Sequence, residues 1–329
     1  MTLPLALLER LLDLSATEAW KAIVEHAWSV CAEPLGKADP WKELSRRERE
    51  LGAVDLFLSD AGWDLWEQFE KSVEPTADAL ATWWKTAGAG RAVLILDGLS
   101  LREVPWLLHG ARTRGYAVRQ EKATAAELPP ETTPFARALG FEQRSALQPG
   151  GGHANSRLPG ARTDCLGIAW EACAAIIGAE PDWLLWHEWP DSRIHGLAGP
   201  GQGLEALAQE TASGLTSDGF WALVERLTTG RRLVVTSDHG YAASGMFSDV
   251  AAEPGQLLKA RFGGRRCTPS SGQASGWNPP VELQLESRHG LYGYAVGRRK
   301  WKVQGGYPTL THGGLSLLEV VSPFVELSR

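Results

Sequence analysis

Residues 234–241 read VVTSDHGY. Apolar, β-branched residues such as Val234, Val235 and Thr236 suit a strand buried on both faces, and Gly240 suits a bend where that strand stops. An acid and an imidazole, Asp238 and His239, stand at the bend. The same design recurs twice. AVLILDG (residues 92–98) ends on Asp97, and DWLLWHEW (182–189) runs into WPDSRIHG, which carries Asp191 and His195.

Between these runs lie amphipathic segments, 104–113 and 217–228, and a further helix is expected to start at Thr163. Strand–helix alternation from residue 91 onward predicts an α/β fold with a mostly parallel central sheet between helices. Ligands of such sheets bind beyond the carboxyl ends of the strands. Residues 148–160, QPGGGHANSRLPG, read as a loop.

Flanking segments read differently. Residues 1–88 show helical spacing (Leu5, Leu8, Leu11, Leu12; Trp63, Trp66, Phe69) and hold seven of the 15 tryptophans, which predicts a helical N-terminal subdomain. TAGAG at 86–90 is its hinge. The core is assigned to residues 89–250 and 308–329. Residues 251–307, Gly/Pro/Ser-rich and then strand-like, are read as a small α+β or β insertion over the sheet. Ser316 and Glu319 have the spacing of a capping box. The first apolar run, 3–8, is short and broken by Glu9 and Arg10, so neither a leader nor a membrane span is expected and the location reads as cytoplasmic. Cys31, Cys165, Cys173 and Cys267 form no CxxC pair. Free thiols are expected, with Cys165 and Cys173 sharing a helix.

Singly, an Asp-Gly is a turn and a lone His a core residue. Together, three aspartates at one sheet edge would be costly to bury without cations. Two divalent ions supply +4 against −3, leaving about +1 for an anionic substrate, with phosphate the natural choice. The spacing suggests one ion held by Asp97, Asp238 and His239. The other is assigned to Asp191, His195 and His312, the last from THGG at 311–314.

This ordered set resembles the alkaline phosphatase superfamily. Within it, LPPETTPFARALGF (128–141), VVTSDHGY and HGGLSLLEVVSPFVEL (312–327) look most like the PglZ domain of bacterial phage-defence and signalling proteins. The resemblance spans roughly residues 90–329. It implies an alkaline-phosphatase-like core and a phosphatase or phosphodiesterase using zinc, with manganese as the alternative. It also implies protein partners in a defence or signalling system and a nucleophile at Thr132 or Thr133. Thr133, directly before Pro134, has the position of an N-cap and is placed first. Many PglZ domains carry arginine three residues after the first aspartate, where this chain has Ser100. Arg102 is the candidate substitute for binding phosphate, and Arg137 a second.

The net charge of −6 argues against nonspecific duplex binding. Between Lys259 and Lys302, however, nine basic residues face only Glu282 and Glu286, a local +7. Trp277, Tyr292, Tyr294, Trp301 and Tyr307 interleave with them. Basic and stacking side chains together suit a nucleotide or single-stranded nucleic acid. The expectation is a two-metal phosphodiesterase, with a phosphomonoesterase or phosphomutase as one alternative and a noncatalytic assembly subunit of a defence complex as another. His26, His109 and His187 read as packing or surface residues. His153 and His289 lie in glycine-bearing stretches.

Overall fold

The structure, a computed structural model, describes residues 3–88, 90–149, 156–201, 203–250, 252–272 and 281–329. Ala89 of the expected hinge, residues 150–155 of the 148–160 loop with His153, and Trp277 lie outside the described residues.

Six strands form the central sheet: β1 (Arg91–Leu96), β2 (Ala117–Ala125), β3 (Arg162–Leu166), β4 (Asp182–His187), β5 (Arg232–Thr236) and β9 (Val321–Ser328). Their order is β2-β9-β5-β1-β4-β3. β5, β1, β4 and β3 run parallel, while β9 is antiparallel to both β5 and β2. β2 therefore points the same way as β1, and its carboxyl end reaches the same edge.

Alternation along the central strands feeds two separate cores. Leu94, Leu96, Leu185, Leu233 and Val235 join one apolar cluster; Val93, Ile95, Leu184, Trp186 and Val234 join the other. The first face is covered by α2 (Ala16–Ala32), α3 (Pro40–Asp60), α7 (Val104–Thr113), α11 (Gly203–Thr216) and α12 (Asp218–Thr228). The second is covered by α6 (Thr76–Thr86) and α8 (Thr132–Ala138). The N-terminal segment thus contributes helices to both faces. It also holds α1 (Leu5–Leu12), α4 (Trp63–Trp66) and α5 (Phe69–Ser72). Two of its helices start with side-chain caps: Ser15 and Glu18 form a reciprocal box at α2, and Asp39 accepts from Lys42 N at α3.

Residues 252–307 contain α13 (Ala252–Phe262) and a three-stranded antiparallel sheet of β6 (Cys267–Pro269), β8 (Gly290–Ala295) and β7 (Glu282–Ser287), with β8 central. Leu258, Phe262, Val281, Ala295 and Trp301 give this part a small core.

Three expectations are corrected. Thr163 begins no helix: residues 162–166 pair in register with β4 as β3, and Cys173 falls in the separate α9 (Trp170–Ile176). All four cysteines are free. Ser316 accepts no backbone N–H at the start of α14 (Leu317–Val320); its hydroxyl instead donates to Glu319 Oε2 at 2.6 Å, a carboxylate that Arg266 and Gly314 N also hold. No helix among the described residues is long and apolar enough to cross a membrane.

Candidate metal centre

Three neighbouring parallel strands, β5, β1 and β4, deliver their carboxyl ends side by side. Asp97 follows β1, Asp238 and His239 follow β5, and Asp191 opens α10 (Asp191–Gly196) after β4. Backbone bonds lock these ends together: Asp97 N donates to His187 O and Asp191 N to Asp97 O, each at 2.9 Å. Gly98 N donates to Asp238 Oδ1 at 2.9 Å, and the Ser237 hydroxyl bonds Leu96 O at 2.8 Å.

Two glycines are required here. Gly98 has φ +73°, a left-handed turn that a side chain disfavours. Gly240 has no positive φ; a Cβ there would lie 2.0 Å from Leu318 O. Its smallness lets the chain after His239 pass the backbone of Leu318, just before β9.

The remaining residues arrive from two other directions. β2 leads through residues 126–131 to Thr132, the first residue of α8. His312 lies just before α14 and β9, whose antiparallel course begins at this edge. Two groups of donor atoms, each mutually within 4.8 Å, result: Asp191, His195 and His312, and Asp97, Asp191 and His239. Asp191 therefore stands in both groups, where the sequence spacing had assigned it to one. Asp238 Oδ2 lies 3.3 Å from His239 Nε2. His239 stacks on His312 at 4.2 Å between ring centroids, and His312 Nε2 is 3.4 Å from His195 Nε2.

Electrostatics follow from burial. The Asp97 carboxyl is held well above the ordinary range, by burial first and by the Asp238 charge second. Burial opposes charge on His239 more than any other single cause, yet Asp238, Asp97 and Asp191 together lift it to about 9. Asp191, despite burial, drops to about 2 through its hydrogen bond to His195 and the neighbouring imidazoles. His312 is pushed down to about 3 by burial and by His239.

The residues suit divalent cations. Asp238 Oδ2 and Asp191 Oδ1 are buried oxygens with no hydrogen-bond partner, a costly state that a cation relieves. Mixed carboxylate and imidazole donors match zinc and manganese alike.

Thr132 Oγ1 faces this cluster, 3.4 Å from Asp97 Oδ1 and 3.5 Å from His239 Nε2. Thr133, the residue placed first from sequence, is exposed. The N-cap is Glu131, whose side chain makes no cap bond, so the helix starts two residues earlier than an N-cap at Thr133 would give. Arg137 stands exposed in the last turn of α8.

Arg102 is enclosed within the chain. Its guanidinium is 2% exposed and is consumed by Glu48 at 2.6 Å, Tyr241 O at 2.6 Å and Ser100 Oγ at 3.1 Å. The basic cluster is likewise largely spent. Arg266 holds Glu319, Arg298 holds Glu48 and Asp55, Arg288 holds Glu127 and Asp78, Arg299 holds Asp60, and Lys300 holds Asp249. Tyr294 and Trp301 are buried. Much of the expected nucleic-acid surface on residues 251–307 is thus committed to ion pairs within the chain, while Tyr292 and Tyr307 keep partial exposure. Two other histidines are structural: His187 bonds Ile168 O and Trp189 N, and His289 bonds Glu127.

Sequence reasoning missed Arg144 and Trp186, which both donate to Asp97 Oδ2, Trp186 Nε1 at 3.2 Å. Arg144 carries no motif, and Trp186 reads as one more buried strand residue.

No family model matches the chain, and no curated protein does. Among solved structures, murine ectonucleotide pyrophosphatase/phosphodiesterase 5 aligns over 73% of this chain and 88% of its own, at 14% identity and TM-score 0.40. The human protein of that name aligns over 72% and 87%, at 11% identity and TM-score 0.40. Phosphonoacetate hydrolase from Sinorhizobium meliloti 1021, in complex with phosphonoacetate, aligns over 73% and 90%, at 13% identity and TM-score 0.41. These are weak likenesses, and the geometry stands without them.

Proposed function

We propose that the chain is a divalent-metal-dependent hydrolase of phosphate esters, a phosphodiesterase with Thr132 as nucleophile. One observation carries this reading: Thr132 Oγ1 lies 3.4 Å from Asp97 Oδ1 and 3.5 Å from His239 Nε2, beside two Asp/His groups of metal-binding size. Bound there, two divalent ions would acidify the attacking hydroxyl and stabilise charge on the phosphoryl oxygens and leaving group. Asp97 and His239 would hold one ion with Asp238, and His195 and His312 the other, Asp191 lying within reach of both.

The chain's own part is positioning. α8 presents the threonine hydroxyl to the cluster, and the attack forms a phosphothreonine ester while the alcohol departs; water then cleaves that ester. Residual charge supports a diester. Three aspartates against two divalent ions leave about +1, which a monoanionic diester neutralises and a dianionic monoester exceeds. Arg144, the cation on Asp97, is offset by Glu188 beside it, and Arg102, with its guanidinium on Glu48, lies outside the count. A role in phage defence or signalling, with protein partners, is supported by the sequence resemblance alone.

The test compares hydrolysis of bis(p-nitrophenyl) phosphate and p-nitrophenyl phosphate by protein stripped of metal and then given Zn2+ or Mn2+. The expected result is metal-dependent cleavage favouring the diester, lowered at least about 10³-fold by Thr132→Ala. A strong monoester preference would make the protein a phosphomonoesterase. Absence of metal-dependent cleavage of either ester would remove the reading.

A further inference from the structure

Like Arg232, Arg261 and Arg288, Arg144 holds a buried acid from a partly exposed position, but of these four only its acid belongs to a metal-sized group. Arg266 and Arg298 are themselves enclosed, at 2% and 0% exposure. Arg144 keeps 30% of its side chain exposed while its partner Asp97 has none. It starts a short 3-10 turn, residues 144–147, anchored by buried Leu147, whose carbonyl accepts from Thr163 Oγ1 at 2.9 Å. From this fixed base the guanidinium reaches inward from the rim. Nη1 pairs with Asp97 Oδ2, and Nη2 lies 3.9 Å from Glu188 Oε2. Glu188 is a half-exposed carboxylate outside both metal-sized groups.

Asp97 is thus claimed twice. Its Oδ1 faces Thr132 and His239, where a divalent ion would sit on the reading above, and its Oδ2 holds a guanidinium that stays charged at any working pH. Two cations on one carboxylate repel each other strongly in a site shielded from water.

We propose that Arg144 is a displaceable internal cation: it neutralises Asp97 in the metal-free protein, yields the carboxylate to a divalent ion, and withdraws to Glu188. It is a positioning residue that sets the metal affinity of the Asp97 group. A core arginine could not act so, because leaving would strand it without water or a second acid. The inference rests on the metal-dependent reading, and the experiment separates the two.

Metal-stripped wild type, Arg144→Gln, Arg144→Lys and Asp97→Asn are titrated with Zn2+ by calorimetry, with circular dichroism confirming that each is folded. Asp97→Asn identifies the binding event that uses this carboxylate. Arg144→Gln should tighten that event at least about tenfold and leave the other unchanged. Arg144→Lys, which keeps the charge, should stay within about threefold of wild type. Unchanged or weaker binding in Arg144→Gln overturns the proposal, as does equal tightening in both variants, which would point to packing rather than charge. Failure of wild type to bind Zn2+ at all overturns the metal reading, and this proposal with it.

Discussion

Arg298 ties together parts of the chain that lie 243 and 250 residues apart in sequence. Its guanidinium is fully buried, with Nε on Asp55 and Nη1 on Glu48, both in α3. Glu48 also accepts from Arg102 Nε at 2.6 Å, and Asp55 Oδ1 from Leu317 N at 2.6 Å. Replacing Arg298 with methionine keeps much of the apolar stem but leaves two buried carboxylates with one guanidinium and one amide between them. Removing one member of a buried pair costs about 3–5 kcal/mol. An unfolding entropy of roughly 2.1 cal/mol/K per residue over 329 residues is about 0.7 kcal/mol/K, so Tm should fall by about 4–7 °C. Thermal and urea unfolding measure this directly. Adding Asp55→Asn in the Arg298→Met background should recover part of the loss, since it removes a stranded charge. A loss below about 1 kcal/mol, or no recovery, would refute the claim that this buried network fastens α3 to the rest of the chain.

Three further outcomes are expected. Glu103 sits in the same buried region, and its carboxyl is raised from 4.5 to about 7 by burial, against the Tyr241 hydroxyl bond and Arg102, which lower it. A raised acid contributes stability that is full below its unfolded value and is lost as pH rises through about 7, a span worth about 3 kcal/mol. Urea unfolding between pH 5 and pH 8.5 should therefore show wild type losing stability relative to Glu103→Gln as pH rises; parallel profiles would contradict the assignment. Gly240→Ala, whose Cβ would meet Leu318 O at 2.0 Å, should cost about 1–3 kcal/mol and weaken Zn2+ binding by displacing His239. Wild-type affinity in that variant would show that the backbone yields without moving the site. Thr133→Ala should keep diester hydrolysis within about tenfold of wild type, and a loss matching that of Thr132→Ala would restore Thr133 as a candidate nucleophile.

What could be read from sequence follows from burial. β1, β4 and β5 are covered on both faces and so appear as unbroken apolar runs, and polar residues at their ends stand out as chemistry. β2, AVRQEKATA, is a half-exposed edge strand whose polar residues hide it, and β3 is short and partly exposed. α13 contains Pro254 and Gly255, which argue against a helix until its packing is seen. The Thr132/Thr133 choice turns on one residue of helix phase, below what a capping preference resolves. Charge partners are less legible still. A run of arginines in residues 259–302 looks like a surface for anions, yet most of their acids come from distant segments, Glu48, Asp55, Asp60, Asp78, Glu127 and Glu319. Local composition records that the cations exist and says nothing about what they neutralise.

That contrast also separates structural acids from functional ones. Glu43, Glu48, Asp55, Asp182, Glu319 and Glu326 each hold an arginine of the chain, the ordinary solution for a buried carboxylate. Asp238 is just as buried, yet its ion-pair partner is His239, and one oxygen is left without a hydrogen bond. A chain that supplies guanidinium so consistently elsewhere leaves Asp238 and one oxygen of Asp191 open at the strand ends, next to Arg144, which reaches Asp97 from the rim. The economical account is that their counter-charge comes from outside the chain. Asp238→Asn should then weaken Zn2+ binding and cost the metal-free protein less stability than Arg298→Met, because the carboxylate pairs only with an imidazole of the chain. A metal-free loss as large as that of Arg298→Met would instead make Asp238 a structural acid whose partner is His239.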